Sequence, residues 1–315
     1  MPNVFELLGL TAAHRAKNKV VQMVKHFEEV PASKRSYPLI GQPKKDGVYG
    51  MIVVEDLTTG DFGCFGRTGE LLSSTSKLLE AAFSFELYQG VYIGEILSRH
   101  PCSLEQLSGV LNPNRVNELD DEQQKIADNL YIALHDWLTL PEFIAGKSAV
   151  PYATRQDRLR QAVDSTPFFD DIIPQCYIYD ESSKNLFTQA CIDSGDEGAC
   201  YKQPSEGWVA GHKGYRVMKE VSRIDYDLLC TRVEEGEGKY KGLVANMYFQ
   251  WKDGTEIKAM PGKGHTHESC RKMWLDTSLA VGKVWRVKGL CNSSKGKVRL
   301  PKVEEQRFDK ITGDF

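Results

Sequence analysis

The stretch Gln42-Pro43-Lys44-Lys45-Asp46-Gly47-Val48 constrains this chain more than any other. It follows an apolar entry, Tyr37-Pro38-Leu39-Ile40-Gly41, and puts a lysine two residues before an Asp-Gly turn pair, which suggests an amine held on rigid backbone. Such a lysine can form covalent intermediates if its amine is neutral at working pH, and a neighbouring cation favours the neutral form. Lys45 supplies that cation in sequence, although adjacent side chains on a strand point to opposite faces. A basic turn before a hairpin has the same local pattern, so the rest of the chain must supply what a reactive lysine needs.

Hydrophobic periodicity sketches that framework. Residues 1–30 read as largely helical, with Leu7, Leu8, Val20, Val21, Val24 and Phe27 at helical spacing and Pro31 as the stop. Residues 48–56 read as a strand, Thr58-Thr59-Gly60-Asp61 as a turn, and 62–67 as the returning hairpin partner. Residues 74–85 form the next helix, with Ser74 and Thr75 as available caps. The apolar run 91–97 carries Gly94-Glu95, and a carboxylate in such a run is costly unless a cation, a metal or hydrogen-bond donors satisfy it. A polar excursion over 101–130 leads to a strand at 131–138 and a basic helix at 152–163 with Arg155, Arg158 and Arg160. Residues 172–179 read as a strand weakened by Pro174, and 193–198 as a polar loop. Glu206-Gly207-Trp208-Val209 again sets an acid beside glycine on an apolar strand, followed by Lys213, Arg216 and Lys219.

From Ile224 onward short strands alternate with glycine turns, which argues for a small barrel. With 315 residues two domains are expected, 1–223 and 224–315. The second holds the positive charge: 18 basic and 13 acidic residues lie in 223–315, against 22 and 30 before it, a footprint suited to a polyanion. Eight cysteines without a Cys-x-x-Cys pair suggest incidental thiols rather than zinc or disulfides. No apolar run nears the roughly 20 residues of a membrane span, and the first residues lack a secretion signal, so a cytoplasmic protein is expected.

Taken together, Lys44 to Gly47, Phe65-Gly66-Arg67-Thr68-Gly69, Gly94-Glu95 and Glu206 to Val209 resemble, in order and spacing, the covalent nucleotidyltransferases, most closely the small phage-type ATP-dependent DNA ligases. The resemblance covers nearly the whole chain and is poor over 98–130. It implies an α+β fold: a nucleotidyltransferase (ATP-grasp-like ligase) domain with antiparallel sheets, followed by a small OB-fold β-barrel. It further implies that Lys44 attacks the α-phosphate of ATP and passes AMP to the 5′-phosphate of nicked duplex DNA, where a 3′-hydroxyl displaces it. Glu95 and Glu206 would hold the ribose and Mg²⁺, or Mn²⁺ in its place. Gln42 would take the adenine amino group, Arg67 the ribose or the nick phosphate, and Lys219, assisted by Lys213 and Arg216, the triphosphate. Pro43 and Lys45 flank the nucleotide, and Arg307 and Lys310 would orient pyrophosphate.

Four departures stand out. Tyr49 replaces the usual arginine after Lys-x-Asp-Gly, and His135 takes the place of the aromatic that stacks on adenine, with Tyr131 or Trp137 as substitutes. One lysine of the usual pair gives way to Val217 or Val221. No separate N-terminal DNA-binding domain is expected, which leaves the barrel and the arginine helix to clamp the duplex. The implied protein is a monomeric enzyme of DNA repair, replication or recombination, in a host cytoplasm if viral. Alternatives sharing the lysine and two glutamates are an RNA ligase, an mRNA-capping guanylyltransferase, and a catalytically silent nucleic-acid-binding relative.

Overall fold

The computed structural model describes residues 3–222, 224–262, 264–289 and 296–314. Cys291 and Arg223 lie outside the described residues. The chain divides into two compact units, Met1–Val221 and Ser222–Phe315.

In chain order the first unit carries strands β1 (Met23–His26), β2 (Leu39–Lys44), β3 (Val48–Asp56), β4 (Asp61–Phe65), β5 (Gly90–Ser98) and β6 (Leu130–Leu138). After them come β7 (Lys147–Ser148), β8 (Cys176–Ile178), β9 (Gly198–Lys202), β10 (Trp208–Val209) and β11 (Lys213–Val221). Its helices are α1 (Val4–Leu7), α2 (Ser76–Ser84), α3 (Leu104–Val110), α4 (Asp121–Asp128), α5 (Leu140–Ala145), α6 (Tyr152–Ala162) and α7 (Glu181–Asp193).

One antiparallel sheet runs β4-β3-β5-β6. Its strands are apolar on both faces because both are covered: Ile52, Tyr92 and Ile132 enter one core with α2 and α6, whereas Met51, Val53, Val91 and Ile93 enter another with Phe5 and Trp208. A second sheet runs β1-β11-β9-β2-β8, antiparallel except for the parallel edge pair β1 and β11. Pro43 is tolerated in β2 because β8 stops pairing at Gly41, so no ladder partner on that side meets the missing N–H. In the second unit β12 (Ile224–Glu235), β13 (Val244–Gln250), β14 (Glu256–Pro261), β15 (Val284–Gly289) and β16 (Lys302–Gln306) close a barrel around Met247, Phe249, Trp251 and Val287, with α8 (His267–Leu275) against it.

Several expected elements differ. Residues 1–30 are not one helix. An Asn3–Glu6 capping box starts α1, Gly9 at φ +68° stands just past its end, and the β-branched Val20 and Val21 pack into the β3 core before β1 pairs with β11. The strand expected at 172–179 shrinks to β8, beyond Pro174, and Gly198, read as the end of a loop, instead opens β9. The arginine helix forms as α6, but Arg155 is unavailable to a duplex. It is 1% exposed and forks onto Asp136, Nε to Oδ1 at 2.9 Å and Nη2 to Oδ2 at 3.0 Å, tying α6 to β6.

Removing one member of that pair strands a buried charge. Arg155→Met should cost about 3–5 kcal/mol in urea unfolding, and adding Asp136→Leu should recover much of the loss.

Candidate active site

Antiparallel pairing sets Lys44 of β2 opposite Gly198 of β9, and Gln42 opposite Cys200. Gly198 has φ +145°, and a Cβ there would lie 2.3 Å from the Glu220 carbonyl oxygen, so glycine alone lets β9 begin against β11. The preceding residue, Glu197, donates its backbone N–H to the Lys44 carbonyl at 2.9 Å, and its carboxylate accepts a short hydrogen bond from the Lys44 ammonium. One residue further, Lys45 Nζ meets Asp196 Oδ1 at 2.8 Å. Two adjacent acids thus face two adjacent lysines.

Burial works against the Lys44 ammonium, but Cys200, Glu197 and Glu95 outweigh it and hold its pKa above the ordinary lysine value. This corrects the expectation that Lys45 keeps the amine neutral. The Lys45 charge is engaged by Asp196, and Lys44 rests protonated.

Lys44 opens into a cavity of about 170 Å³ walled by both sheets. Glu95, on β5 opposite Tyr49, reaches it from the other sheet. Burial pushes the Glu95 carboxyl up to about 7, with Lys44 and Arg67 only partly drawing it back. Lys219 lines the wall from β11, its pKa lowered by burial and then by Lys44. Arg67 stands with its guanidinium 5.5 Å from the centre of the Tyr49 ring.

At the other end of the cavity the polar groups form a closed set. Gln42, 1% exposed, accepts from Tyr152 Oη at 2.9 Å and donates to the Ile173 carbonyl at 3.4 Å. Lys202 Nζ donates to Tyr152 Oη at 3.0 Å and to the His135 carbonyl at 3.1 Å, and lies 3.3 Å from His135 Nδ1. Lysine has no acceptor while charged, so Nδ1 is the accepting nitrogen and the ring proton belongs on Nε2. Burial, reinforced by Lys202, pushes the His135 pKa down to about 3, and burial lowers Lys202 itself to about 8. Of the rings weighed for stacking, His135 lies on the cavity wall with Tyr49 6.3 Å away, whereas Tyr131 packs beneath Arg99 and Trp137 against Tyr92.

The fold therefore brings Gln42, Pro43, Lys44 and Lys45 together with Tyr49 and Arg67, and adds Glu95, His135 and Lys219. Val217, not Val221, lines the wall where a second lysine was expected. Glu206 is not brought to the cavity wall with the others: it pairs with Arg216 Nη2 at 3.0 Å, where Gly207 packs against the Ser148 carbonyl and β10 pairs with β7. Arg216 is drawn off with it, also donating to the Gly207 carbonyl at 3.2 Å, and Lys213 is exposed. The acid at Lys44 is Glu197. Arg307 and Lys310 belong to the second unit, where both are ion-paired with Asp227.

Sequence reasoning missed Glu197, Cys200 and Lys202. The signal was present, since Glu197-Gly198 stands before the apolar Ala199 just as Glu206-Gly207 stands before Trp208. The polar run at 193–196 hid it.

No known family model matches the sequence. Solved structures do share the fold. One named Pmar-Lig_PreS3 superposes with a TM-score of 0.76 at 16% identity, over 91% of this chain and 67% of its own. A Lig E DNA ligase gives 0.67 at 14% identity, over 91% and 98%. The ATP-dependent DNA ligase of bacteriophage T7, solved with ATP, gives 0.51 at 17%, over 93% and 100%. The fold is that of a ligase nucleotidyltransferase domain followed by an OB-fold barrel. Among curated proteins, a probable DNA ligase of Mycolicibacterium paratuberculosis is 29% identical over 158 residues, 48% of this chain, and the match spans 27% of that relative's length.

A buried, neutral His135 has a direct readout. Its imidazole NMR shifts should show no protonation of the ring between pH 7 and pH 5, because the ring does not gain a proton until the pH nears 3.

Proposed function

We propose that this protein is an ATP-dependent DNA ligase that seals 3′-hydroxyl/5′-phosphate nicks in duplex DNA through a lysyl-AMP intermediate, acting as a monomer in the cytoplasm. The observation that carries the reading is the Lys44 amine, clamped against Glu197 and opening into a cavity where Glu95, Lys219 and Arg67 converge. The fold shared with ligases supports it.

Lys44 must first lose its proton, and the Glu197 carboxylate already hydrogen-bonded to it is the acceptor at hand. The amine then forms a nitrogen–phosphorus bond to the α-phosphate, and the bridging oxygen–phosphorus bond breaks as pyrophosphate leaves with the electron pair. In the second step an oxygen of the DNA 5′-phosphate takes the adenylyl group and Lys44 departs as amine. In the third the 3′-hydroxyl attacks, loses its proton, and AMP leaves. Lys219 and Arg67 carry the positive charge that phosphate transfer requires.

The acids fit a hard cation. Glu95 is a carboxylate that the surrounding cations under-compensate, and Glu197 lies close enough to shift its titration. Two carboxylates with phosphate and water make a common Mg²⁺ site, and Mn²⁺ suits the same oxygens. The ion would neutralise phosphate charge there. At the base end Gln42, held by Tyr152 and Ile173, and the Nε2–H of His135 would meet adenine, with Tyr49 beside the ribose.

Incubated with ATP and Mg²⁺, the protein should gain one AMP by intact mass, mapped to Lys44, and Lys44→Ala should gain none. An unchanged adduct in that variant would end the proposal, and labelling by GTP alone would favour a capping enzyme.

Without a bound cation burial pushes the Glu95 carboxyl up to about 7, so protons compete with Mg²⁺ for it, and single-turnover adenylation at subsaturating Mg²⁺ should fall as the pH drops through 7. Glu95→Gln should slow the step by on the order of 10²-fold and remove that inflection, leaving only the rise with pH that deprotonation of Lys44 imposes. Glu206→Gln should stay within about threefold of wild type.

A further inference from the structure

Lys202 lines the Lys44 cavity from β9 yet is only 4% exposed, and every hydrogen on its ammonium is committed. Its three N–H groups go to Tyr152 Oη at 3.0 Å, the His135 carbonyl at 3.1 Å and His135 Nδ1 at 3.3 Å, and an ammonium has no lone pair with which to accept. No hydrogen is left for a bound base, so whatever Lys202 does there it does through its partners.

The polarity of those partners follows by count. Tyr152 Oη accepts from Lys202 and must donate its own proton elsewhere. The His135 carbonyl, 2.9 Å away, already takes Lys202 and the Gln156 amide at 2.6 Å, which fills both of its lone pairs. That leaves Gln42 Oε1, also at 2.9 Å, as the acceptor, and it turns Gln42 Nε2 to the Ile173 carbonyl at 3.4 Å. On the other arm His135 Nδ1 accepts, so Nε2 carries the hydrogen. At the base end of the cavity Gln42 is thereby fixed with a spare oxygen lone pair, and His135 as an Nε2–H donor.

We propose that Lys202 is the positioning residue that makes this cavity accept adenine nucleotides and refuse guanine ones. The proposal rests on the ligase reading of the cavity as a nucleotide site. Adenine carries an amino donor at C6 and an unprotonated N1, whereas guanine reverses both, with an oxygen at C6 and a hydrogen on N1. The Gln42 oxygen and the His135 N–H match the first and oppose the second. Turn the amide over and move the imidazole proton to Nδ1, and the same two side chains match guanine. An amide and an imidazole left alone make both reversals readily, but a partner that can only donate forbids them.

The test compares wild type with Lys202→Met, which fills the space and donates nothing, and Tyr152→Phe, which breaks only the arm to Gln42. Calorimetric titration uses α,β-methylene ATP and α,β-methylene GTP, whose bridging carbon blocks transfer to Lys44, so affinity is read apart from catalysis. Wild type should prefer the adenine analogue by on the order of 10²-fold, Tyr152→Phe by about tenfold, and Lys202→Met by less than about threefold. Nitrogen NMR of the His135 ring should find the hydrogen on Nε2 in wild type and shared between both nitrogens in Lys202→Met, a change that lost packing alone does not produce. Full preference retained in Lys202→Met, no preference in wild type, or a preference lost while the hydrogen stays on Nε2 overturns the assignment. Should Lys202→Met not fold, Tyr152→Phe decides, and an unchanged preference there overturns it too. If wild type never forms lysyl-AMP yet the preference follows Lys202, the assignment stands and the ligase reading fails.

Discussion

The contact on which the site depends is the ion pair between Lys44 and Glu197, and the backbone register that enforces it. A surface lysine and glutamate at the same separation would gain little, because water screens them and both side chains lose freedom. Here the cost is met before the side chains meet. The Glu197 N–H is bonded to the Lys44 carbonyl, Gly198 sits opposite Lys44, and a residue larger than glycine would strike the Glu220 carbonyl. The pair is thus a product of sheet geometry. It fixes the amine's position, and it also holds the amine in the protonated, unreactive form until the proton is taken away.

Around this pair the cavity is divided by charge. Near Lys44 the groups are ionic, and burial, only partly offset by Lys44 and Arg67, pushes the Glu95 carboxyl up to about 7. At the far end Gln42, Tyr152, Lys202 and His135 satisfy one another through hydrogen bonds. The first region suits phosphate and metal, the second a neutral ring. Under the proposed function this polarity would turn the phosphates of a nucleotide toward Lys44 and its base toward His135.

Much of this was legible in the sequence where the pattern is local. The β3–β4 hairpin follows from alternating apolar residues around Thr58-Thr59-Gly60, and the barrel from short strands between glycine turns. Lys44, Arg67 and Glu95 stand out because each breaks an apolar or glycine-rich run. What was not legible depended on tertiary partners. Val20 and Val21 have helical spacing, but packing against β3 and the pairing of β1 with β11 decide that segment. Glu206 and Glu197 offer the same acid-glycine signature, and only the Lys44–Gly198 register chooses between them. Arg155 looks like a cation for DNA until Asp136 is found buried beside it.

The barrel shows how far a charge count can mislead. Asp227 alone engages Arg286, Arg307 and Lys310, while Glu234 holds Lys258, Glu256 holds Arg232, and Glu304 holds Lys288. Many of the basic residues that gave the C-terminal third its surplus are committed within their own unit. A polynucleotide touching these residues must compete with resident carboxylates for each of them, so those contacts are exchanges rather than net gains. Such a surface would grip lightly, which fits the proposed ligase, since it would have to let go of a repaired strand and find the next break.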